Sequence, residues 1–340
     1  MRKYSLLAVG IVIIALLLWW AGVRDVAEIL RRAKLDYFLL AVLMYVLGLV
    51  TWGLRWRVLL KALGVEVGFT KILLALLAGI FVNNVTPGAR GGGEPVRMYF
   101  LAKEAGKPYG QVFATVMMDR ILDLIPVVAM LALSTAYVYE LGSLSLTLIL
   151  VLLDLVFAGL ILLTLGILLS ERKTKGALYW FFRLFERLAP GMAERYRERF
   201  EKAVEVDVPR FQSDFRFLMR HKRVFLLALA YSTASWLFAV MRTYYTFRAI
   251  NYPISFVDVM VVQMVGMVVG MLSVIPGGAG IIETVNSGIY VLLGINKEIA
   301  VTATLLDRLI SYWIPTAIGA LVTTHFGAKL RKGLIGKGSR

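Results

Sequence analysis

The sequence predicts an all-α, polytopic membrane protein, with about six full transmembrane helices and two re-entrant helical hairpins in an inverted repeat. Three observations predict it. Apolar runs near 20 residues recur along the 340-residue chain, and such a run of helix is long enough to cross a hydrocarbon core of roughly 30 Å. Charged residues, 18% of the total, cluster between those runs instead of alternating with them. A pattern of helix breakers and charges also occurs twice, about 189 residues apart, within apolar sequence.

The apolar segments fall near 4–22, 36–54, 69–86, 111–138, 143–170, 224–247, 256–275 and 298–325, with shorter stretches at 94–105 and 281–294. The run at 4–22 lacks a small-residue cleavage site after Leu18-Trp19-Trp20, which favours a retained first span over a signal peptide. Residues 171–223 differ: they carry 14 Lys or Arg, with Phe181, Phe182, Leu184, Phe185 and Leu188, and then Phe211, Phe215 and Leu218, at helical spacings. These read as interfacial or cytosolic helices inserted into a single membrane domain spanning 1–340, with repeat A at about 69–138 and repeat B at about 256–325.

Charge decides the orientation. If every apolar segment crossed fully, the basic insert would lie outside, against the positive-inside bias. If 69–105 and 256–294 are hairpins, 29 Lys or Arg fall inside, 6 outside and 3 within spans. This arrangement predicts a multi-pass protein of the cell membrane with both termini cytoplasmic. Three crossings then separate the hairpins, so they enter from opposite faces.

The repeated pattern supplies the candidate site. One copy reads Pro87-Gly88-Ala89-Arg90-Gly91-Gly92-Gly93-Glu94, then Arg97, Asp119-Arg120 and Pro126. The other reads Pro276-Gly277-Gly278-Ala279-Gly280-Ile281-Ile282-Glu283, then Asp307-Arg308 and Pro315. Broken backbone at membrane depth is tolerated where protein buries it or a cavity adjoins it. Pro87, Gly88, Gly92 and Gly93, and Pro276, Gly277, Gly278 and Gly280, are the expected hairpin turns. They would leave N–H groups at the start of each returning half-helix, an end that attracts anions. Close packing that admits a neighbouring helix is the other reading of the glycines.

Charges in mid-span cost roughly 2.5–3.5 kcal/mol each on insertion scales, so they must pair, face water or be neutralised. Adjacent Asp and Arg point about 100° apart on a helix and pair poorly with each other. The expected pairs therefore cross between repeats: Arg120 with Glu283 or Asp307, and Arg308 with Glu94 or Asp119. Asp123 joins these intramembrane ions. Arg242 is expected either to snorkel or to line the cavity, and Asp154 has no evident partner. Arg55-Trp56-Arg57 reads as an interface anchor, as do most of the tryptophans, Trp19, Trp20 and Trp52 among them. Pro126 and Pro315 each free a carbonyl one turn earlier and permit a kink.

Composition narrows the function. The formal charge of +16 is accounted for by basic loops, so no nucleic-acid partner is expected. With no cysteine and only His221 and His325 as imidazoles, no metal or cofactor is expected. No Walker motif and no nucleophile–base pair is present, which argues against a pump or an enzyme.

The chain resembles the lysylphosphatidylglycerol synthase transmembrane-domain family over nearly its whole length. The resemblance rests on Leu54-Arg55-Trp56, Asn84-Val85-Thr86-Pro87-Gly88 with Gly92-Gly93-Glu94 and Arg97, Asp119-Arg120, and Pro276-Gly277-Gly278-Ala279-Gly280 with Glu283. It implies a membrane module that flips lipids. In bacteria that module can be fused to an aminoacyltransferase, for which the roughly 15 residues after the last span leave no room.

The expected function is a lipid flippase moving a lipid with an anionic phosphate head group, a phospholipid or a lipid-linked phosphate. Arg90, Glu94, Arg97, Asp119, Arg120, Glu283, Asp307 and Arg308 are the expected substrate-binding residues. A proton-coupled transporter of a small polar solute, or a non-transporting membrane subunit, are the alternatives.

Overall fold

A computed structural model describes residues 2–86 and 92–335; Pro87, Gly88 and Arg90 of the first turn lie outside the described residues. The elements are α-helices throughout: α1 Arg2–Ala21, α2 Val23–Arg31, α3 Leu35–Ala62, α4 Phe69–Val85, α5 Gly93–Ala105, α6 Tyr109–Glu140 and α7 Leu144–Leu168. There follow α8 Glu171–Leu188, α9 Pro190–Arg220, α10 Lys222–Ala249, α11 Phe256–Leu272, α12 Ile281–Leu292, α13 Lys297–Arg308 and α14 Ile314–Ile335. A short 3-10 turn, Pro276–Gly278, joins α11 to α12, and a π-helical turn, Leu309–Trp313, joins α13 to α14 in one continuous rod.

Five of these are long and apolar enough to cross a membrane: α3, α6, α7, α10 and the α13–α14 rod. The 20-residue α1, about 30 Å at 1.5 Å per residue, contributes the shorter apolar stretch Ile11–Ala21. The limbs of the two hairpins are shorter. α5 and α12 have 13 and 12 residues, about 20 Å each, too short to cross a core of roughly 30 Å.

The architecture is an inverted repeat, and its unit is larger than the motif. α3–α6 corresponds to α10–α14, with α3 and α10 as the central antiparallel pair and the most extensive helix contact in the molecule. Lys34 N–H, at the start of α3, donates to the Ala249 carbonyl at the end of α10 (2.8 Å). At the crossing, Ser235 Oγ donates to the Gly48 carbonyl (3.0 Å). Gly48 and Ser235 stand 187 residues apart, as do Arg55 and Arg242. Equivalent residues touching across antiparallel helices place the pseudo-two-fold axis there.

The repeats also interlock. α4 of the first hairpin packs on α14, and α11 of the second packs on α6. The glycines permit this. A Cβ on Gly319 would collide with the Leu77 carbonyl of α4, and one on Gly93 with the Gly79 carbonyl.

α8 and α9 form an antiparallel hairpin after α7. Phe211, Phe215 and Leu218 of α9 are buried against α6, with Leu59, Ala114 and Met118 in the same cluster.

Candidate functional site

Two ionic clusters lie on either side of the axis. In the first, Asp119 is fully buried and accepts from Arg55 Nε (2.6 Å), Arg97 Nη1 (2.8 Å) and Trp52 Nε1 (3.0 Å). Arg55 Nη1 also donates to Asp123 and to Ser232 Oγ, both at 2.7 Å. Glu94 pairs with Arg97 through one oxygen and with Arg120 through the other.

The second cluster repeats this logic. Arg242 holds Asp307 with a two-pronged contact (2.8 and 3.0 Å), and Thr243 Oγ1 donates to the same carboxylate (2.6 Å). Arg308 Nε donates to Glu283 (2.8 Å), and its Nη2 donates to the Gly277 carbonyl (3.0 Å).

The correspondence is residue by residue: Arg55–Asp119 with Arg242–Asp307, and Arg120–Glu94 with Arg308–Glu283. This corrects the expected cross-repeat pairing. Arg120 and Arg308 each take the carboxylate of their own repeat's hairpin, because α5 returns beside the start of α6, and α12 beside α13. A short returning limb brings Glu94 and Glu283 to the neighbouring helix with no need to cross the axis.

Two further expectations are overturned. Arg55 and Trp56 are not interface anchors: both are buried, and Trp56 Nε1 donates to Thr115 Oγ1 (3.0 Å). Trp52 likewise turns inward to Asp119. Of the two readings of Arg242, the structure shows the second: it lines the cavity, and it binds Asp307.

One of the expected open N–H groups in each limb is in use. Gly93 N–H donates to Asn83 Oδ1 (2.6 Å), and Gly280 N–H donates to Glu283 Oε2 (2.8 Å), so each returning limb is capped by its own hairpin. The glycines thus serve both readings: Gly93 packs tightly on Gly79, while Gly277, Gly278 and Gly280 adopt positive φ at the second turn. Asp154, outside both clusters, accepts a hydrogen bond from Thr135 Oγ1 (3.2 Å), and its other oxygen is buried without a partner.

A cavity of about 250 Å³ lies on the axis between the clusters. Arg120, Arg242 and Arg308 line it, with Trp52, Ser235 and Tyr312. The Arg120 guanidinium lies over the Trp52 ring and that of Arg308 over the Tyr312 ring, at 5.7 and 4.1 Å from the centroids. Cations over aromatic faces are stabilised without using up their N–H donors. Arg120 is the more open of the two, its side chain 31% exposed against 7% for Arg308.

Both hairpins reach this point. The Tyr312 hydroxyl is 3.4 Å from the Asn84 carbonyl at the end of α4 and 3.4 Å from the Pro276 carbonyl at the second turn. Asn84 Nδ2 donates to Thr316 Oγ1 (2.7 Å) on α14.

The structure therefore gathers Glu94, Arg97, Asp119 and Arg120 on one side, and Glu283, Asp307 and Arg308 on the other. Sequence reasoning left Arg55, Trp52 and Tyr312 out of the site, counted Asp123 among the intramembrane ions without a binding role, and left Arg242 between snorkelling and lining the cavity. A signal for two of them was present: Arg55 and Arg242 precede the Asp of their Asp-Arg pairs by 64 and 65 residues.

Fold and site together define an all-helical, multi-pass membrane protein built as an inverted repeat around a buried ionic cavity. The chain matches the family described as Lysylphosphatidylglycerol synthase TM region over residues 7–319, and it belongs to that family. It is similar to a UPF0104 membrane protein of Pyrococcus horikoshii, 36% identical over 323 residues, covering 95% of this chain and 96% of that one. A UPF0104 membrane protein of Methanothermobacter thermautotrophicus is 29% identical over 334 residues, 98% of both chains. One of Methanocaldococcus jannaschii is 28% identical over 322 residues, 94% of this chain and 93% of its own.

Proposed function

We propose that the protein moves a lipid with a phosphate-bearing head group across the membrane, the head group passing through the axial cavity while the tails stay in the bilayer. The observation that carries this reading is the placement of two repeat-equivalent arginines, Arg120 and Arg308, on the wall of one cavity between hairpins of opposite entry. Arginine presents a planar fork of donors that matches phosphate oxygens. At about 250 Å³ the cavity is smaller than drug-sized pockets of roughly 300–1,000 Å³, and it suits a phosphate with a few attached atoms. Inverted repeats packed about a midplane site are a known architecture for alternating access. Membership in a family named for the membrane region of a lipid-modifying synthase supports a lipid as cargo.

Binding must disturb the ion pairs. The two clusters hold five arginines (55, 97, 120, 242 and 308) and five carboxylates (94, 119, 123, 283 and 307), with no excess charge in this set. A phosphate therefore competes with Glu94 for Arg120. Because Arg120 is the most exposed of the cavity's arginines, its pairs with Glu94 and, at 3.9 Å, with Asp123 are the ones that exchange partners. In this reading Asp119 and Asp307 fix the arginines of α3 and α10 and keep the axis rigid, while Glu94, Arg97, Arg120, Glu283 and Arg308 form the working site.

The test is translocation of a fluorescent phospholipid in proteoliposomes, followed by dithionite accessibility. Arg120→Gln and Arg308→Gln should each lower the rate at least tenfold while thermal unfolding stays cooperative, and Arg120→Lys should retain part of the rate. Wild-type rates in folded glutamine variants would overturn the proposal.

A further inference from the structure

We propose that the outward face of α8 docks on the anionic head-group layer of the membrane, on the side where α7 ends. α8 starts where a span leaves the bilayer. α7 ends at Leu168, and Ser170 caps α8 by accepting from Lys173 N–H (3.4 Å). Its origin is fixed there from α9: Gln212 Nε2 donates to the Leu168 carbonyl and to Thr174 Oγ1, and Arg216 Nη2 to the Leu169 carbonyl (2.8 Å).

The two faces of α8 differ. Tyr179 and Phe182 pack on Phe200 of α9, with ring centroids 5.6 and 4.2 Å apart. On the opposite side Trp180, Phe181, Leu184 and Phe185 are exposed, at 58%, 62%, 42% and 38%. Positions i, i+1, i+4 and i+5 form one stripe of a helix, and a contiguous apolar patch of this kind marks an interaction surface.

Charge selects the occupant. α8 carries Arg172, Lys173, Lys175, Arg183 and Arg187 against Glu171 and Glu186. Lys175 is tied to Glu171 and Glu205, and Glu186 to Arg197. Arg172, Lys173, Arg183 and Arg187 are exposed and make no ion pair among the described residues. An amphipathic helix with aromatic residues on one face and unpaired basic residues beside it, starting at the end of a span, has the composition of an in-plane helix. Its basic residues are attracted to an anionic leaflet.

The chain has no cysteine, so a single one can be labelled without background. Phe181→Cys in the full-length protein would carry a nitroxide, with Glu198→Cys on exposed α9 as the control. Both are reconstituted in phosphatidylcholine vesicles with or without phosphatidylglycerol, and collision with oxygen and with a water-soluble nickel chelate is measured. The label at 181 should lose chelate access several-fold in anionic vesicles while the label at 198 keeps it. Arg183→Glu with Arg187→Glu should restore chelate access at 181. Chelate access at 181 in both vesicle types overturns the proposal. So does equal protection in an amphipathic polymer without lipid, which would mean that a second copy of the chain covers the face. None of these outcomes depends on lipid translocation.

Discussion

Gly277 shows what a single residue contributes at the second turn. Its φ of 59° lies in the left-handed region, and a Cβ there would occupy the space of the Tyr312 ring. Gly277→Ala should therefore cost more than the roughly 1–2 kcal/mol of the backbone conformation alone. It should also displace Tyr312 from Arg308. A fall in Tm together with slower transport is the expected result, and an unchanged Tm would contradict the packing. Asp214 on α9 makes a different kind of prediction. Burial pushes its carboxyl up from the ordinary value, opposed by Arg210, and one oxygen has no partner. The folded state thus holds the proton more tightly than the unfolded chain. The resulting stability is complete below the ordinary carboxylate pKa and is lost as pH rises through the raised folded value. Asp214→Asn should be more stable than the parent at neutral pH, with the difference in Tm shrinking on acidification. A constant difference would show that the carboxyl does not titrate differently in the two states.

At the scale of elements, the long spans were legible because period-free apolar runs of 17 or more residues leave few alternatives. The short limbs were legible only through the breakers between them and the charge balance outside. Which carboxylate each arginine takes was not legible, since composition cannot say that α5 lies beside α6 more closely than across the axis. The inward turn of Trp52, Arg55 and Trp56 was hidden for a related reason: an Arg-Trp cluster at a span end has the same composition whether it faces head groups or a buried Asp119. The limb contact gives a test. Gly93→Val would force α4 and α5 apart at Gly79 and disturb the Gly93 N–H bond to Asn83. The first hairpin should become accessible to protease while α10–α14 stays protected. Uniform protection would show that the limbs tolerate the added volume.

For the whole molecule, the repeats match in plan and differ in charge. Arg97 and Asp123 of the first unit correspond to Asn286 and Ser311 of the second, where Asn286 Oδ1 is buried without a partner. The first unit's cluster thus holds one more arginine and one more carboxylate than the second's, joined by six ion pairs against two among the described residues. Removing one member of a buried pair costs about 3–5 kcal/mol, because the other charge is left without compensation. The same reasoning predicts that Asn286→Arg and Ser311→Asp are each destabilising. Together they should cost less than the sum of the singles, by at least about 1 kcal/mol in a double-mutant cycle. Arg97 and Asp123 do not pair directly but share a network through Asp119 and Arg55, so simple additivity would show that the two introduced charges do not couple through Asp307 and Arg242.

The π-helical turn at Leu309–Trp313 explains a small irregularity in the repeat. Pro126 follows Arg120 by six residues, but Pro315 follows Arg308 by seven. One extra residue in an α-helix would rotate everything beyond it by about 100°, turning the face of α14 that meets α4 away from its partner. A single wide turn takes up that residue and leaves the rod in phase. The second half of the molecule therefore carries an insertion with no loop to hold it, absorbed next to the arginine that faces the cavity. Deleting one residue within 309–313 should return the rod to regular α-helix with Pro315 in the phase of Pro126, and solving that variant's structure would show it.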